Sequence, residues 1–249
     1  MPIIEQTIHT VAEYIACVSG FKASHDVLWF RGHANDSYQL QPTVYRAPFS
    51  WEDELPLLHQ FKARGARFIA APPSNDIEWL FIMQHHSTPT RLLDWSENAL
   101  VALAFATQYR KAHHSGHAAS VWCLAPKVLN SKTRFPAYDS EPIPNICENT
   151  DLQSMFESPR QNYPVAIIGP QNTDRIIAQR GVFTLFPNKD SFTMESLADA
   201  DQFLLKINIP ENDIECICNE LYYIGYTEST LFPDLDSISK ELRKNFGRR

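Results

Sequence analysis

Hydrophobic residues recur at helical spacing in several segments of the first half of the chain. The pattern predicts helices at about residues 8–20, over Trp51–Ala70 and over Asp76–Met83. A further segment, Ala99–Phe105, is apolar almost all round, which is typical of a buried helix. Ser96 precedes this segment and is expected to be its N-cap.

Runs of β-branched and aromatic residues predict strands, and most of them lie in the second half. The first is Val27–Arg31, which Gly32 is expected to end. Two late helices are predicted at Asn219–Ile224 and Leu235–Phe246. The later strands, with prolines near their edges, are predicted at Ser120–Leu124, Val165–Ile168, Gly181–Phe186, Phe203–Ile209 and Ile214–Ile217.

This order of elements indicates an α+β fold, in which helices of the N-terminal half pack on a mainly antiparallel sheet. The sequence lacks the regular alternation of strands and helices that is typical of a doubly wound parallel sheet. The sequence shows no internal repeat and no low-complexity linker, and its 17 prolines are spread over most of the chain. A single domain spanning residues 1–249 is therefore expected.

The chain is acidic, with 29 Asp and Glu against 22 Lys and Arg and a net charge of −7. This balance argues against a long footprint on duplex nucleic acid, which needs many cations on one face. The last ten residues are locally basic and are expected to form a solvated helix end. No segment approaches about 18 uninterrupted apolar residues, so we expect a cytoplasmic protein without a membrane partner.

The five cysteines are scattered, with no paired spacing that would suit a metal or a disulfide framework. We therefore expect no bound metal. Cys216 and Cys218 alternate along a predicted strand, which would place both on one face as reduced core residues.

Polar residues are concentrated between two predicted apolar helices. Taken singly, each is typical of a structural role. Polar groups packed so densely between buried elements cost stability unless they pair or bind something. A polar loop feeding the N-terminus of a buried helix also suits an anion, because the first-turn amides have no intrahelical partner. A ligand site is therefore predicted among Gln84, His85, Thr88, Thr90, Arg91, Asp94 and Trp95.

Several familiar enzyme motifs are missing from the sequence. There is no P-loop, no G-x-S-x-G, no H-E-x-x-H and no G-x-G-x-x-G. This excludes kinases, Walker-type ATPases, α/β-hydrolases and zincin proteases. His113, His114 and His117 are expected to lie in a solvated loop.

Two motifs carry a resemblance to a known family. Residues 29–33 spell Trp-Phe-Arg-Gly-His, and residues 89–95 spell Pro-Thr-Arg-Leu-Leu-Asp-Trp. Together with Leu40–Thr43, Arg46 and the apolar residues 99–106, they resemble the FRG-domain family, named for its (Phe/Tyr)-Arg-Gly motif. Later segments agree, namely Arg175–Gln179, Gly181–Phe183 and Leu231–Leu235, so that the resemblance covers about residues 25–240.

The FRG-domain family is bacterial and phage-associated. The resemblance implies the setting of a bacterial toxin or an antiphage defence effector. The glycine usual in the family before the Pro-Thr-Arg segment is Ser87 in this sequence. A slightly different loop backbone is therefore expected at this position.

The order of motifs is also similar to that of ADP-ribosyltransferases of the arginine–serine–glutamate type. This resemblance implies NAD as substrate, with Arg31 holding the diphosphate through its guanidinium fork. Thr88, Thr90 or Ser96 would hold the ribose. The implied NAD site further includes Gly32, Asp94, Trp95 and Phe183.

The expected catalytic glutamate is missing, because the late strand offers Gln179 in its place. A glutamine can hydrogen-bond a hydroxyl but cannot act as a base near neutral pH. Glu220 or Asp234 could substitute from nearby chain. Alternatively His85 and Arg91 supply the charge, as in NAD-dependent RNA 2′-phosphotransferases, or no transfer occurs.

Three hypotheses about function remain open. The first is an enzyme that transfers ADP-ribose to a protein, RNA or DNA end, with Arg31, His85, Arg91 and Gln179 as catalytic residues. The second is a non-catalytic module that binds a nucleotide or a nucleic-acid end. The third is a metal-dependent nuclease, for which the carboxylates are far apart in sequence: Asp94, Asp234 and Asp236.

Overall fold

The computed structural model describes residues 3–69, 73, 75–133, 143–146, 162–171 and 173–247. Cys147, Ala70 at the end of a predicted helix, and the last two arginines lie outside the described residues. Within the described part, seven strands form one sheet: β1 (Ile4–Thr7), β2 (Trp29–His33), β3 (Leu92–Ser96), β4 (Ala119–Leu124), β5 (Val165–Ile167), β6 (Gly181–Leu185) and β7 (Leu204–Ile209).

The strand order in the sheet is β1-β7-β4-β2-β3-β6-β5. Every neighbouring pair is antiparallel except β1 and β7, which are parallel. This confirms the predicted α+β fold with a mainly antiparallel sheet.

The described helices alternate irregularly with the strands along the chain. They are α1 (Val11–Lys22), α2 (Glu54–Gly65), α3 (Asp76–His85), α4 (Ala99–Thr107), α5 (Pro126–Ser131), α6 (Asp174–Gln179), α7 (Glu211–Tyr223), α8 (Glu228–Leu231) and α9 (Leu235–Phe246). Helices α6 to α9 show that the helical elements are not confined to the N-terminal half. A helix with the length and apolarity to cross a bilayer is not found in the described ranges.

Gly32 lies inside β2 and does not end it, contrary to the prediction. It pairs with Val121 of β4, and the strand continues to His33. A Cβ atom on Gly32 would lie 2.0 Å from the carbonyl oxygen of Ala102 in α4. The missing side chain therefore allows the backbone of the buried helix α4 to lie directly against the central strand.

The predicted ligand loop, residues 84–95, ends in a strand. Residues 92–96 form β3, which lies between β2 and β6. As a result Ser96 ends a strand, and its Oγ accepts a hydrogen bond from the Asn98 backbone N–H at 2.9 Å. Asn98 is the N-cap of α4, since its Oδ1 accepts from the Leu100 N–H at 3.0 Å, so the prediction for Ser96 was wrong.

The predicted strand at 214–217 was also wrong, because these residues belong to α7. Ile214, Ile217 and Leu221 are buried at helical spacing. Cys216 is exposed and Cys218 is partly buried, so these cysteines do not share a core face. The predicted helix at Asn219–Ile224 is the C-terminal half of α7 with the residue that follows it.

The first strand was missed by sequence analysis. All four residues of β1 are exposed, so the segment shows no alternation of buried and polar positions. Helix α1 begins only at Val11, because the Thr10 hydroxyl accepts a hydrogen bond from the Glu13 N–H at 3.1 Å and caps it.

Candidate functional site: an opening between two central strands

Strands β2 and β3 are neighbours in the sheet but share a short ladder. Their register joins one pair, Phe30 and Ser96, whereas β2 pairs with β4 along its whole length. Beyond that pair no ladder joins the two strands, over residues that the structure describes throughout. We call this region, where the two strands share no ladder, the β2–β3 opening. Polar side chains meet in it: Arg31 and His33 from β2, Asp94 from β3, Gln84 from α3, and Arg46 from the connection between β2 and α2.

Arg31 is the centre of this group. Its Nη1 donates to the backbone oxygen of Asp94 at 2.6 Å and lies 3.9 Å from the carboxylate Oδ2 of the same residue. Burial lowers the pKa of Arg31 to about 10, although the Asp94 carboxylate raises it. Arg31 therefore remains a cation at neutral pH and is held against β3.

His33 fixes the orientation of the Arg31 guanidinium. The Nε of Arg31 donates to Nε2 of His33 at 3.1 Å, so Nε2 is the acceptor. Nδ1 of His33 lies 3.1 Å from the carbonyl oxygen of Tyr38 and must carry the ring proton. Burial, and next the positive charges of Arg31 and Arg46, hold the pKa of His33 well below 6.5, so the ring is neutral.

A second guanidinium adds positive charge to the opening. Arg46 donates from its Nε to the carbonyl oxygen of Gln41 at 3.1 Å. Burial lowers the pKa of Arg46, while the nearby Asp94 carboxylate raises it. The charge of Arg46 also acts on Arg31, whose pKa it lowers. Two arginines thus share one carboxylate, which leaves one positive charge in excess and makes the opening suitable for an anion.

Asp94 is held by a chain of side-chain hydrogen bonds. Gln84 donates from its Nε2 to Asp94 Oδ2 at 2.8 Å and accepts at Oε1 from the Thr90 hydroxyl at 2.6 Å. The Thr90 hydroxyl in turn accepts from the Leu92 N–H at 3.2 Å. The Asp94 side chain stays 54% exposed. Its carboxylate is therefore oriented by the protein and still accessible to a ligand.

The structure brings together four of the predicted site residues: Arg31, Gln84, Thr90 and Asp94. Other predicted residues lie in the core. Trp95 donates from its indole N–H to the Thr184 hydroxyl at 3.0 Å, and it is buried. Phe183 packs edge-on against Phe81, with ring centroids 4.7 Å apart.

Arg91 and Gln179 have structural partners. The Nε of Arg91 lies 2.7 Å from Glu54 Oε2, and both side chains are buried. Gln179 donates from its Nε2 to the carbonyl oxygen of Leu231 at 3.1 Å. Among the described residues, no hydrogen bond or ion pair joins Arg91 or Gln179 to Arg31.

His85 and Thr88 lie around the C-terminal end of α3. His85 is exposed, and its pKa is lowered by partial burial and by the nearby charges of His86 and Arg175. The backbone N–H of Thr88 donates to the Met83 carbonyl at 2.9 Å and closes the turn. In this turn Ser87 has a φ of 58°, the left-handed conformation that glycine favours. The serine therefore keeps a backbone conformation that suits the family's glycine.

The two carboxylates considered as substitutes for the missing glutamate each accept a hydrogen bond from a backbone N–H in the first turn of a helix. Glu220 accepts from the Val11 N–H at 2.7 Å, at the start of α1. Asp234 accepts from the Ser237 N–H at 2.7 Å, as N-cap of α9. Asp94 is the carboxylate that the structure places beside Arg31.

The histidine-rich segment after α4 is not uniformly solvated, contrary to the prediction. His114 is buried, and its Nδ1 accepts from the Lys111 N–H at 3.0 Å. Its Nε2 therefore carries the proton in the neutral ring and faces the Tyr38 hydroxyl at 2.9 Å. This contact anchors Tyr38, whose carbonyl oxygen holds His33.

Sequence analysis did not assign His33 or Arg46 to the site, whereas it did place Gln84 in the predicted ligand site. His33 follows Arg31 by two residues on a strand, so the period of the strand places both on one face. That signal was available. Arg46 lies fifteen residues from Arg31 in a connection without periodicity, and nothing in its spacing indicates that it turns back to the opening.

A metal centre is not indicated in the described ranges, where no three His, Cys, Asp or Glu side chains are grouped so that they could hold an ion. Asp234 and Asp236 lie at the start of α9, whereas Asp94 lies on β3. The carboxylate cluster that a metal-dependent nuclease needs is therefore not formed by these three residues.

Fold and site together define an α+β protein with a cationic opening between two central strands of its sheet. The family model of the FRG domain matches residues 26–115, so this chain carries an FRG domain. All five side chains of the β2–β3 opening lie within that match, and the later segments 175–183 and 231–235 lie outside it. A search of the curated proteins and a search of the solved structures each found no match.

Proposed function

We propose that this chain binds NAD in the β2–β3 opening and transfers its ADP-ribose to a macromolecule. The observation that carries the proposal is the pair of arginines, Arg31 and Arg46, around the single carboxylate of Asp94. A diphosphate would neutralise the excess positive charge of this group.

Arg31 has donors left for a phosphate. Its Nε and Nη1 are used by His33 and by the backbone of Asp94, whereas Nη2 donates to none of the described residues. The guanidinium is held rigid by its two bonds, so little side-chain entropy would be lost when a phosphate oxygen binds to Nη2.

Asp94 would serve the chemical step. In ADP-ribosyl transfer the bond between C1′ of the ribose and the nicotinamide nitrogen breaks, and nicotinamide leaves with the bonding electrons. The sugar then carries developing positive charge, which a fixed carboxylate stabilises. The nucleophile of the acceptor attacks C1′ and loses its proton to Asp94. In this proposal Asp94 takes the role that the resemblance assigns to the position of Gln179.

The acceptor would be a protein, an RNA or a DNA end. The net charge of −7 makes a long duplex an unfavourable acceptor. A bacterial toxin or antiphage effector is the setting we propose for such an activity, because it is the one that the family resemblance implies.

The test is a transfer assay with labelled NAD. The purified chain is incubated with NAD labelled in the adenosine part, together with cell protein, RNA or DNA fragments in separate reactions. We expect label to appear on one of these classes together with an equal amount of free nicotinamide. Both should be lost in Arg31→Ala and retained in Arg64→Ala, which removes an exposed arginine of α2. Transfer that persists in Arg31→Ala would overturn the assignment.

A second candidate is a module that binds a nucleotide or a nucleic-acid end without chemistry. This candidate is favoured because three residues considered for catalysis form structural hydrogen bonds instead. They are Gln179, Glu220 and Asp234. This alternative predicts that NAD or ADP-ribose binds and that no nicotinamide is released with any acceptor class. The same assay, run beside a binding titration, separates the two candidates.

A further inference from the structure

An ordinary surface helix buries its apolar side and exposes its polar side, whereas helix α9 does the reverse. Its polar side faces the protein: Ser237 is buried, and Glu241 accepts a hydrogen bond from the Ser229 hydroxyl at 2.6 Å. Its apolar residues face solvent. Four of them are between 45% and 83% exposed and form what we call the α9 stripe: Leu235, Ile238, Leu242 and Phe246.

The spacing of the α9 stripe is that of a helix–helix contact. Its residues follow one another at intervals of three, four and four, which aligns them along one side of the helix. An apolar stripe of this kind on an otherwise polar helix marks an interaction surface, since a solvated helix would gain nothing from it.

We propose that the α9 stripe is the contact surface for a second copy of this chain, with the two α9 helices antiparallel about a two-fold axis. A two-fold axis perpendicular to the helices places each stripe against itself, as an isologous interface requires. The antiparallel arrangement also sets the positive end of each helix dipole beside the negative end of the other.

The charged residues that border the α9 stripe support a second copy of the chain as its partner. Asp236 lies near the N-terminus of α9 and Arg243 near its C-terminus. At about 100° per residue, both project to the same side of the stripe. The two-fold axis then brings Asp236 of one copy opposite Arg243 of the other, and it does so twice. Neither side chain forms an ion pair with any of the described residues, whereas Lys240 already pairs with Glu228 at 2.9 Å.

An anionic lipid surface fits the stripe less well. The basic residues at the C-terminal end of α9 would favour it, but Asp236 borders the apolar face directly. Asp234, the N-cap, adds a second negative charge at the same end. A helix that is acidic at one end and basic at the other is complementary to an antiparallel copy of itself.

The first experiment measures the mass of the full chain in solution by sedimentation over a range of concentrations. We expect a monomer–dimer equilibrium that Leu242→Asp shifts strongly toward monomer. Leu55→Asp is the matched control, because Leu55 is an equally exposed leucine of α2 outside the stripe. The control should leave the equilibrium unchanged. A chain that stays monomeric at its highest soluble concentration would overturn the proposal.

The second experiment reverses the border charges. Asp236→Arg and Arg243→Asp each place like charges opposite one another at both ends of the helix pair. Each should weaken the dimer by about tenfold or more. The double variant restores opposite charges across the axis and should recover the dimer. All these positions are exposed, so folding should be retained, and circular dichroism checks this.

The charge reversals also distinguish dimer formation from binding of α9 to an anionic lipid surface. If α9 binds an anionic surface, Asp236→Arg should strengthen and Arg243→Asp should weaken binding to phosphatidylglycerol vesicles, with no rescue by the double variant. Failure of the double variant to restore the dimer would contradict the antiparallel arrangement. These outcomes are independent of whether the β2–β3 opening binds NAD.

Discussion

The Nε atom of Arg31 donates a hydrogen bond to Nε2 of His33, two residues further along the same strand, at 3.1 Å. The bond exists because His33 is neutral, with its proton on Nδ1 and directed at the Tyr38 carbonyl. A second proton on the ring would sit on Nε2 and face the guanidinium. The arginine proposed to hold the diphosphate is thus oriented by a histidine that must stay uncharged.

We predict that acid destabilises the fold through His33. Its pKa is held well below 6.5 in the folded state by burial and by the neighbouring arginines, whereas it is about 6.5 in the unfolded chain. Below pH 6.5 the unfolded state therefore binds more protons than the native state. The free energy of unfolding should fall by up to about 1.4 kcal/mol per pH unit, from pH 6.5 down to the native pKa of His33.

Denaturant unfolding between pH 5 and pH 8, compared with the variant His33→Gln, measures this effect. The side chain of glutamine can still accept from Arg31 but does not titrate, so the variant should lose that part of the pH dependence. The variant His59→Gln changes an exposed histidine and should keep the wild-type curve. Parallel curves for wild type and His33→Gln would show that His33 is not held neutral.

Gly32→Ala should destabilise the protein by about 2 kcal/mol or more. The new Cβ would lie 2.0 Å from the Ala102 carbonyl oxygen and 2.7 Å from the Ala106 nitrogen, and backbone atoms of a buried helix cannot yield as a flexible side chain can. Gly20→Ala is the control, since its Cβ would have no atom within 4 Å and it lies in α1. This control should be neutral or slightly stabilising. Chemical denaturation of the two variants gives the comparison.

The ion pair of Arg91 and Glu54 should matter for stability and not for ligand binding. Removing one partner leaves a buried charge unpaired, so Arg91→Ala should cost about 3–5 kcal/mol of unfolding free energy. Replacing both, as in Arg91→Met with Glu54→Leu, should recover much of that loss. If the double variant is stable and binds NAD as the wild type does, Arg91 is structural. Loss of NAD binding in a stable double variant would return Arg91 to the site.

Asp94→Asn should separate binding from transfer. The change removes a negative charge beside the proposed diphosphate site, so NAD affinity should stay equal or increase. The rate of nicotinamide release should fall by about 100-fold or more, because the carboxylate no longer stabilises the developing charge on the ribose. Asp26→Asn, at an exposed aspartate paired with Lys127, is the control and should change neither quantity. An unaltered release rate in Asp94→Asn would remove Asp94 from the chemical step.

Elements with a continuous apolar run or a clear periodicity could be predicted from the sequence. Helices α3, α4 and α9 are of this kind, and so are the strands β4, β6 and β7. The segment Ile214–Ile217 is too short to distinguish a strand from one turn of a helix. Its helical nature becomes clear only when Leu221 is included in the window. The edge strand β1 has no buried face and so leaves no pattern to detect.

The site was predictable where its members belong to a distinctive sequence motif. Arg31 and Asp94 were both proposed, and the structure brings them together. Pairings between distant segments could not be foreseen. The partner of Arg91 is Glu54, 37 residues away, and its presence explains why Arg91 is held in the core rather than directed to the opening.

The most direct test of the account is a calorimetric titration of NAD and of ADP-ribose into the wild type and into Arg31→Ala. If the β2–β3 opening holds the diphosphate, both ligands should bind the wild type. Arg31→Ala should then lose at least tenfold in affinity, since a charge-assisted hydrogen bond contributes about 1.5–3 kcal/mol. Equal binding by wild type and Arg31→Ala, or no binding of either ligand to the wild type, would contradict the assignment of this opening as an NAD site.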